Sequence, residues 1–271
     1  MIDYSLSVFY NKIQRQHSLL KGAIMTENRR FSLIDAIRGI AVVNMILYHL
    51  CYDVFVAFGV WSDFFLCVPA VIWERMICFT FIIISGVSLH FTRHGFCRGI
   101  IVLLCGIATT AVTVIFTPDQ AIYFGVLSFL GCAMLFTYAI RKLLDRMQPL
   151  VGVIVFFLLF MLCYGLPDGF IGLFSFPLVR LPEALYQYKW LSILGFQSKD
   201  FFSADYFPFL QWISLYLFGY QLWRLIEQRG LEKRFYRRIP FFDFIGRHSL
   251  IIYMVHQLVL YGICWLIFTV L

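Results

Sequence analysis

The chain has 271 residues, of which 61% are hydrophobic and 14% are charged, against about 45–50% apolar and about 25% charged residues in ordinary soluble domains. This composition, with a mean hydropathy of +0.83, excludes a single water-soluble core and predicts an all-α, polytopic membrane helix bundle. The net charge of +7 does not indicate nucleic-acid binding, because Lys and Arg form short clusters between apolar runs rather than one basic surface.

The N-terminal segment 1–24 carries no cleavable signal, because it mixes polar and apolar residues without an uninterrupted apolar core. It is either an interfacial helix or lies upstream of a true start at Met25. We expect residues 1–30 to form a cytoplasmic segment and residues 31–271 to form the transmembrane domain.

Apolar runs of the roughly 20 residues that a spanning helix needs occur about seven times. The predicted spans are 34–58, 66–89, 99–116, 121–140, 149–165, 207–226 and 248–270. Ser85 and Gly86, in the second span, permit close approach of another helix. The stretch 166–206 has only short apolar runs, cut by Pro177 and Pro182, so it predicts an external loop with short interfacial or re-entrant helices.

The distribution of positive charge predicts the orientation of the bundle. Of the 22 Lys and Arg residues, 17 lie in segments on one side of the spans and three on the other. The basic segments are 1–30, 91–98, 141–148 and 224–247. Because cytoplasmic loops are enriched in Lys and Arg, we expect a cytoplasmic N-terminus and an external C-terminus.

The first span carries an unusual stripe of ionisable residues. Eleven steps of 100° from Arg38 to His49 leave a net rotation of about 20° and a rise of about 16 Å, so both side chains share one helix face. Asp35 lies one turn before Arg38, and Asp53 one turn after His49. A charge at the bilayer centre costs about 2.5–3.5 kcal/mol, so such residues normally face a bundle interior or a wet cavity.

This stripe suggests chemistry as well as packing. An imidazole deep in an apolar bundle accepts protons near neutral pH, so His49 is a candidate catalytic base, with Asp53 orienting its second ring nitrogen. For Asp35 and Arg38, an interfacial ion pair and a role in the site both stay open.

Further polar residues could face the same interior. The bend that holds Arg93 and Arg98 is either a solvated basic loop or a binder of the phosphates of an anionic cosubstrate. His248 lies at the start of the last span and His256 about two turns inside it. For His256, core hydrogen bonding and a role in the site are both open. The eight cysteines show no CxxC spacing, and no metal site, phosphate loop or dinucleotide fingerprint is present in the sequence.

Four stretches resemble, in order, the bacterial branch of the heparan-alpha-glucosaminide N-acetyltransferase catalytic-domain family, within the transmembrane acyltransferase superfamily. They span residues 31–262. The stretches are Ile34 to Val42 followed by His49, Phe124 to Gly131, Phe202 to Pro208, and Gly246 to Gln257. This sequence departs from the family pattern in two places. Lysosomal members resemble it with an Asn in place of His49 and a His in place of Val60, and the family often has a His where this sequence has Ser128.

The resemblance implies a membrane-embedded acyltransferase that takes an acyl group, usually acetyl, from cytoplasmic acyl-CoA and passes it to a sugar amine or hydroxyl of an envelope or extracytoplasmic glycan. It implies the bacterial inner membrane as location. His49 and Asp53 would then be catalytic. The expected cosubstrate-binding residues are Asp35, Arg38, Arg93, Arg98, His248 and His256.

The expected cosubstrate is acetyl-CoA or another acyl-CoA, without a metal. The expected partners are the bilayer, acyl-CoA and a glycan or amino-sugar acceptor; nucleic acid is not expected, and homodimerisation stays open. Two other classes also stay open. One is a transporter or channel for a small anion or polyol, with the Arg/His stripe as its path, and the other is a structural subunit of an envelope assembly.

Overall fold

The computed structural model describes residues 30–174 and 176–270, so the predicted cytoplasmic segment 1–30 lies almost wholly outside the described residues. This part of the chain forms eight α-helices and one β-hairpin. The helices are α1 (Ser32–Tyr52), α2 (Val68–Ser88), α3 (Gly95–Phe116), α4 (Val126–Leu144), α5 (Pro149–Cys163), α6 (Phe209–Gln228), α7 (Pro240–Arg247) and α8 (Ser249–Trp265). Two π-helical segments extend α1 and α8, over Asp53–Ala57 and Leu266–Val270.

All seven predicted spans form helices, which confirms the all-α membrane bundle. Five of these helices, with their short extensions, are long and apolar enough to cross a membrane: α1, α2, α3, α4 and α8. The other two differ for separate reasons. Helix α5 has only 15 residues, a length of about 22 Å, and α6 carries Gln211, Gln221 and Arg224.

Helix α6 is the centre of the bundle, which explains its polar residues. It packs against α2 on one side and α5 on another, and its side chains at Trp212, Tyr216, Tyr220 and Trp223 are almost completely buried. A helix that is buried nearly all round faces protein rather than lipid. Its polar groups can therefore find partners inside the bundle.

At one end of the bundle, α6 closes the C-terminus of α4. The guanidinium of Arg224 donates to the carbonyl oxygens of Leu144 and Asp145, both at 2.7 Å, and Gln221 donates to Leu144 at 3.0 Å. These carbonyls have no partner within their own helix. The same end collects the basic segments that begin α1, join α2 to α3 and follow α6.

The stretch 166–206 contains short 3-10 helices at Glu183–Tyr186 and Lys189–Leu194, in agreement with the prediction of short helices there. It also contains an antiparallel hairpin, β1 (Phe170–Leu173) and β2 (Phe176–Arg180), which the sequence did not predict. The second strand is exposed along its length, so no alternating burial pattern identified it.

The start of α4 lies deep in the bundle. The predicted span 121–140 begins too early, because the helix begins only at Val126. A Cβ atom at Gly106 would overlap the backbone of Ser128, so the first turn of α4 is level with the middle of α3. The helix begins at Val126 because the preceding Gly125 is extended and the Asp205 carboxylate accepts a 3.1 Å hydrogen bond from the Val126 N–H. The segments that precede α4 and α6 therefore descend into the bundle side by side.

Close backbone contacts hold α1 against the short helix α7. A Cβ atom at Gly39 would overlap the carbonyl oxygen of Phe242, and one at Gly246 would overlap the carbonyl oxygen of Asp35. Small residues at such crossings let helix backbones meet where lipid supplies no hydrophobic driving force. The predicted close approach at Gly86 is confirmed, because its Cβ position is occupied by the Tyr216 carbonyl of α6.

We predict that Gly246→Ala lowers the free energy of unfolding by about 1–3 kcal/mol, because the added methyl group forces α7 away from α1. The matched control is Gly262→Ala on α8, where no atom lies within 4 Å of the new Cβ and helix propensity favours Ala by up to about 1 kcal/mol. Thermal unfolding in detergent measures both. Equal stability of the two variants would contradict the packing described for α1 and α7.

Burial raises the pKa of Asp205 to about 6, although its hydrogen bond from Val126 opposes the shift. Because the folded pKa exceeds the unfolded value of about 3.9, the contribution of Asp205 to stability is complete below about pH 4 and is lost as the pH rises through 6. We expect the stability difference between wild type and Asp205→Asn to change by about 1 kcal/mol between pH 7.5 and pH 5, in favour of the wild type at the lower pH. Parallel pH profiles for the two proteins would refute this account.

Candidate functional site

The cluster nearest the basic end of the bundle is built around Arg38. Its guanidinium donates to the Asp35 carboxylate at 3.0 Å and to the Gly246 carbonyl at 3.4 Å, and it also contacts the Ser88 hydroxyl. Arg30 pairs with the other carboxylate oxygen of Asp35 at 2.5 Å. The Arg38 side chain is only 14% exposed. Arg38 therefore ties α1 to α2 and α7, and Asp35 is its counter-ion.

The remaining predicted cosubstrate residues at this end are open to solvent. Arg93, Arg98 and His248 are exposed. Arg98 lies close enough to Arg38 for the two positive charges to repel each other. The His248 ring bonds the Phe244 carbonyl of α7 through Nδ1 at 2.9 Å. On α7 itself, the hydrogen bond from Arg247 to the buried Asp243 carboxylate raises the pKa of Arg247. A positive, accessible rim thus surrounds the buried Arg38 cluster.

Deeper in the bundle, the structure brings His49 of α1 beside His256 of α8. The two ring centroids are 5.0 Å apart. His256 is 9% exposed, and its Nδ1 lies 2.7 Å from the Tyr253 carbonyl oxygen. Because a carbonyl oxygen only accepts, Nδ1 carries the hydrogen of this bond, and in the neutral ring Nε2 is then a proton acceptor. Nε2 has no hydrogen-bond partner in the described part of the chain.

Asp53, which was predicted to orient the His49 ring, instead pairs with Gln257. Asp53 is 1% exposed and accepts a 2.9 Å hydrogen bond from Gln257 on α8. It is also the first residue of the π-helical segment that extends α1, a distortion that is frequent at functional sites. Within the described residues, the second carboxylate oxygen of Asp53 and the side-chain oxygen of Gln257 have no hydrogen-bond partner. The pair Asp53 and Gln257 thus presents unused polar atoms in the interior.

Tyr253 links the two histidines to the deep start of α4. Its ring centroid is 5.4 Å from that of His256. It also lines a small cavity of about 10 Å³ with Ser128, Asp205 and Thr109, which is room for one water molecule. Asp205, bonded to the first turn of α4, is therefore connected to His256 through the Tyr253 ring that lies between them.

This arrangement unites side chains from four distant segments of the chain. His49 comes from α1, Ser128 from α4, Asp205 from the loop before α6, and Tyr253, His256 and Gln257 from α8. We call the set of His49, Asp53, Asp205, Tyr253, His256 and Gln257 the interior cluster. Sequence reasoning selected His49, Asp53 and His256 but did not select Asp205 as a site residue, because a carboxylate in a predicted external loop carries no desolvation signal.

The interior cluster contains two imidazole rings, of which the His256 ring has its Nε2 without a hydrogen-bond partner in the described residues. It also contains two side-chain oxygens without such a partner there, one on Asp53 and one on Gln257. In the described residues, no group of three or more His, Cys, Asp and Glu has the arrangement to hold a metal ion. The cluster can accept a proton and hold polar groups of a substrate.

One of the three comparisons with known proteins finds a match. The family model described as "Heparan-alpha-glucosaminide N-acetyltransferase, catalytic" matches residues 30–258, which include every member of the interior cluster. No curated protein and no solved structure matches the chain. Because the match covers most of the sequence, the chain belongs to the heparan-alpha-glucosaminide N-acetyltransferase catalytic-domain family, and it is a membrane protein of the acetyltransferase type.

Proposed function

We propose that this protein transfers an acyl group, in the simplest case acetyl, from cytoplasmic acyl-CoA to an amine or hydroxyl of an envelope or extracytoplasmic glycan. The observation that carries the proposal is the convergence of three chain segments on the interior cluster: α1 with its π-helical extension, the loop before α6, and α8. Polar groups are costly in a membrane bundle, and several of these have no partner in the described protein. A bound substrate would supply partners for them.

The donor enters from the basic end of the bundle in this proposal. The exposed Arg93 and Arg98 provide positive charge for the phosphates of CoA, since arginine forms strong, bidentate hydrogen bonds to phosphate, and His248 is exposed at the same end. Arg38 has its donors committed to Asp35, Ser88 and Gly246. We therefore assign Arg38 and Asp35 to positioning, since they hold α1, α2 and α7 together below the entrance.

The reaction takes place at the histidine pair. If Arg38 lies at the cytoplasmic edge of a hydrocarbon core of roughly 30 Å, the rise of about 16 Å from Arg38 to His49 would put the pair about halfway across. The pantetheine arm of CoA would cover this depth and bring the thioester to the two imidazoles. The acceptor would reach the same place from the opposite face, along the segments that descend to Asp205 and the start of α4.

His256 is the base best prepared for the transfer. Its Nε2 takes the proton from the acceptor amine or hydroxyl, whose nitrogen or oxygen forms a bond to the thioester carbon. The carbon–sulfur bond then breaks, and CoA leaves as a thiolate that recovers the proton from the imidazolium. We assign His49, the second imidazole, to the thioester carbonyl oxygen, where a hydrogen bond stabilises the negative charge of the tetrahedral intermediate. Asp53 and Gln257 hold the acceptor through their unpaired oxygens.

We predict that His49→Ala and His256→Ala each lower the transfer rate about 10²- to 10⁴-fold, the usual contribution of a positioned acid–base group, while acetyl-CoA binding is retained. The assay uses purified protein, acetyl-CoA and glucosamine as the probe acceptor, with mass-spectrometric detection of acetylated product and free CoA.

The matched control is Thr80→Ala, which removes a hydroxyl bonded to the Met76 carbonyl of its own helix and should leave the rate unchanged. Full transfer activity in either histidine variant would remove that residue from the mechanism. If the wild type instead moves a small anion or polyol across proteoliposomes without acyl-CoA, the protein is a transporter and the proposal fails.

The donor site is tested by charge reversal at the rim. We expect the double variant Arg93→Glu/Arg98→Glu to raise the KM for acetyl-CoA at least tenfold, with little change in kcat, because it removes attraction to phosphates and leaves the histidine pair intact. The effect should shrink in high salt, since these side chains are exposed and screened. The charge reversal Arg180→Glu in β2, which is also exposed, is the control. Equal effects of both changes would contradict a donor site at this rim.

A further inference from the structure

Helix α7 lies across the start of α1 at the basic end of the bundle. The two backbones touch at two points, where the Gly246 Cα meets the carbonyl of Asp35 and the Gly39 Cα meets the carbonyl of Phe242. Both points fall within the first two turns of α1, which begins at Ser32. Helix α7 therefore lies at the depth where the hydrocarbon of the bilayer gives way to the headgroups of the cytoplasmic leaflet.

The outward face of α7 combines apolar and positive side chains. Phe241 and Phe244 are 66% and 63% exposed, and Arg247 is exposed as well. Steps of 100° place these three residues within one sector of about 120°, opposite the face that packs on α1. A helix of eight residues cannot span a bilayer, and one with such a face lies in the plane of the interface.

The positive charge around α7 exceeds what the protein itself neutralises. The basic segment 224–247 holds seven Lys and Arg residues against three acids. One of these acids, the buried Asp243, serves two guanidinium groups: it accepts hydrogen bonds from Arg247, and Arg238 lies 3.8 Å from it. Arg237 is exposed, and its side chain has no hydrogen bond or ion pair with the described residues. Excess positive charge therefore stands at both ends of α7.

A molecule that covers this face must meet two requirements at once. It needs an anionic group for the guanidiniums of Arg237, Arg238 and Arg247, since arginine binds phosphate through strong, paired hydrogen bonds. It also needs an apolar part that lies against Phe241 and Phe244. A free phosphate lacks the apolar part, and a zwitterionic lipid brings a cation close to the arginines.

We propose that the outward face of α7 binds a phospholipid of net negative charge from the cytoplasmic leaflet, with its phosphate on the arginines and its acyl chains beside the two phenylalanines. The inference goes beyond acyl transfer and uses no residue of the interior cluster. Its consequence for the protein follows from the Gly246 carbonyl, which accepts a hydrogen bond from Arg38 at 3.4 Å. A lipid that holds α7 against α1 also stabilises the Arg38 cluster.

The test is native mass spectrometry of the full chain in detergent, with dioleoyl phosphatidylglycerol and dioleoyl phosphatidylcholine as probes. The two lipids have the same chains and differ in headgroup charge. Each basic side chain beside an anionic headgroup strengthens binding about fivefold, so we expect wild type to bind phosphatidylglycerol at least about tenfold more tightly. The double variant Arg237→Gln/Arg238→Gln should reduce this preference to about twofold. Arg237→Gln alone serves if the double variant does not fold, because Arg237 is not bonded to Asp243.

The matched control is Lys142→Gln/Arg146→Gln. It removes the same charge from two exposed residues at the same end of the bundle, at the end of α4, and should keep the full preference. The apolar half of the site is tested by Phe241→Ser/Phe244→Ser, which should weaken binding of both lipids about tenfold and keep the preference for the anionic one.

Each alternative has a distinct result. Equal affinity of wild type for the two lipids overturns the inference. Equal loss of the preference in the two charge variants also overturns it, because the attraction then belongs to the whole basic end. Unchanged lipid affinity in the phenylalanine variant, or binding of glycerol 3-phosphate as tight as that of phosphatidylglycerol, would make the site one for a free phosphate and not for a lipid. The proposed acyl transfer stands or falls separately, since these variants change no donor or acceptor residue.

Discussion

Polar side chains inside a hydrocarbon slab need partners from neighbouring helices, and this constraint organises the whole bundle. Arg38 draws its partners from α1, α2 and α7, and Asp53 draws Gln257 from α8. The glycine contact between α1 and α7 brings the backbones close enough for the hydrogen bond from Arg38 to the Gly246 carbonyl. The contact between α1 and α8 that joins Asp53 to Gln257 also sets His49 against His256.

The packing also separates the candidate donor-binding residues from the loop before α6. The exposed Arg93 and Arg98 lie at one end of the bundle, while the loop that carries Asp205 descends from the other end to the first turn of α4. The interior cluster lies between these two ends. An enzyme that joins a cytoplasmic donor to an external acceptor needs such a meeting point, and it needs water to be scarce there, because a thioester beside an activated base is otherwise hydrolysed.

Sequence reasoning predicted the helices well because their apolar runs are long, and it predicted the shared face of Arg38 and His49 because helix geometry alone determines it. The Asp35–Arg38 ion pair was one of two alternatives that the sequence left open, and the structure contains it. It did not predict that Asp53 bonds Gln257 instead of orienting His49, since that depends on a contact between residues 204 positions apart. The deep start of α4 and the hairpin Phe170–Arg180 were missed for a similar reason. Both depend on backbone contacts that leave no periodic pattern in the chain.

The central claim is that the acyl thioester lies at the histidine pair. The most direct measurement is a structure of the protein in nanodiscs with a non-hydrolysable acetyl-CoA analogue whose sulfur is replaced by a methylene group. The account predicts density for the CoA phosphates near Arg93 and Arg98, with the acetyl carbonyl within hydrogen-bond distance of the His49 or His256 ring. A carbonyl bound elsewhere, with both imidazoles out of contact, would contradict it.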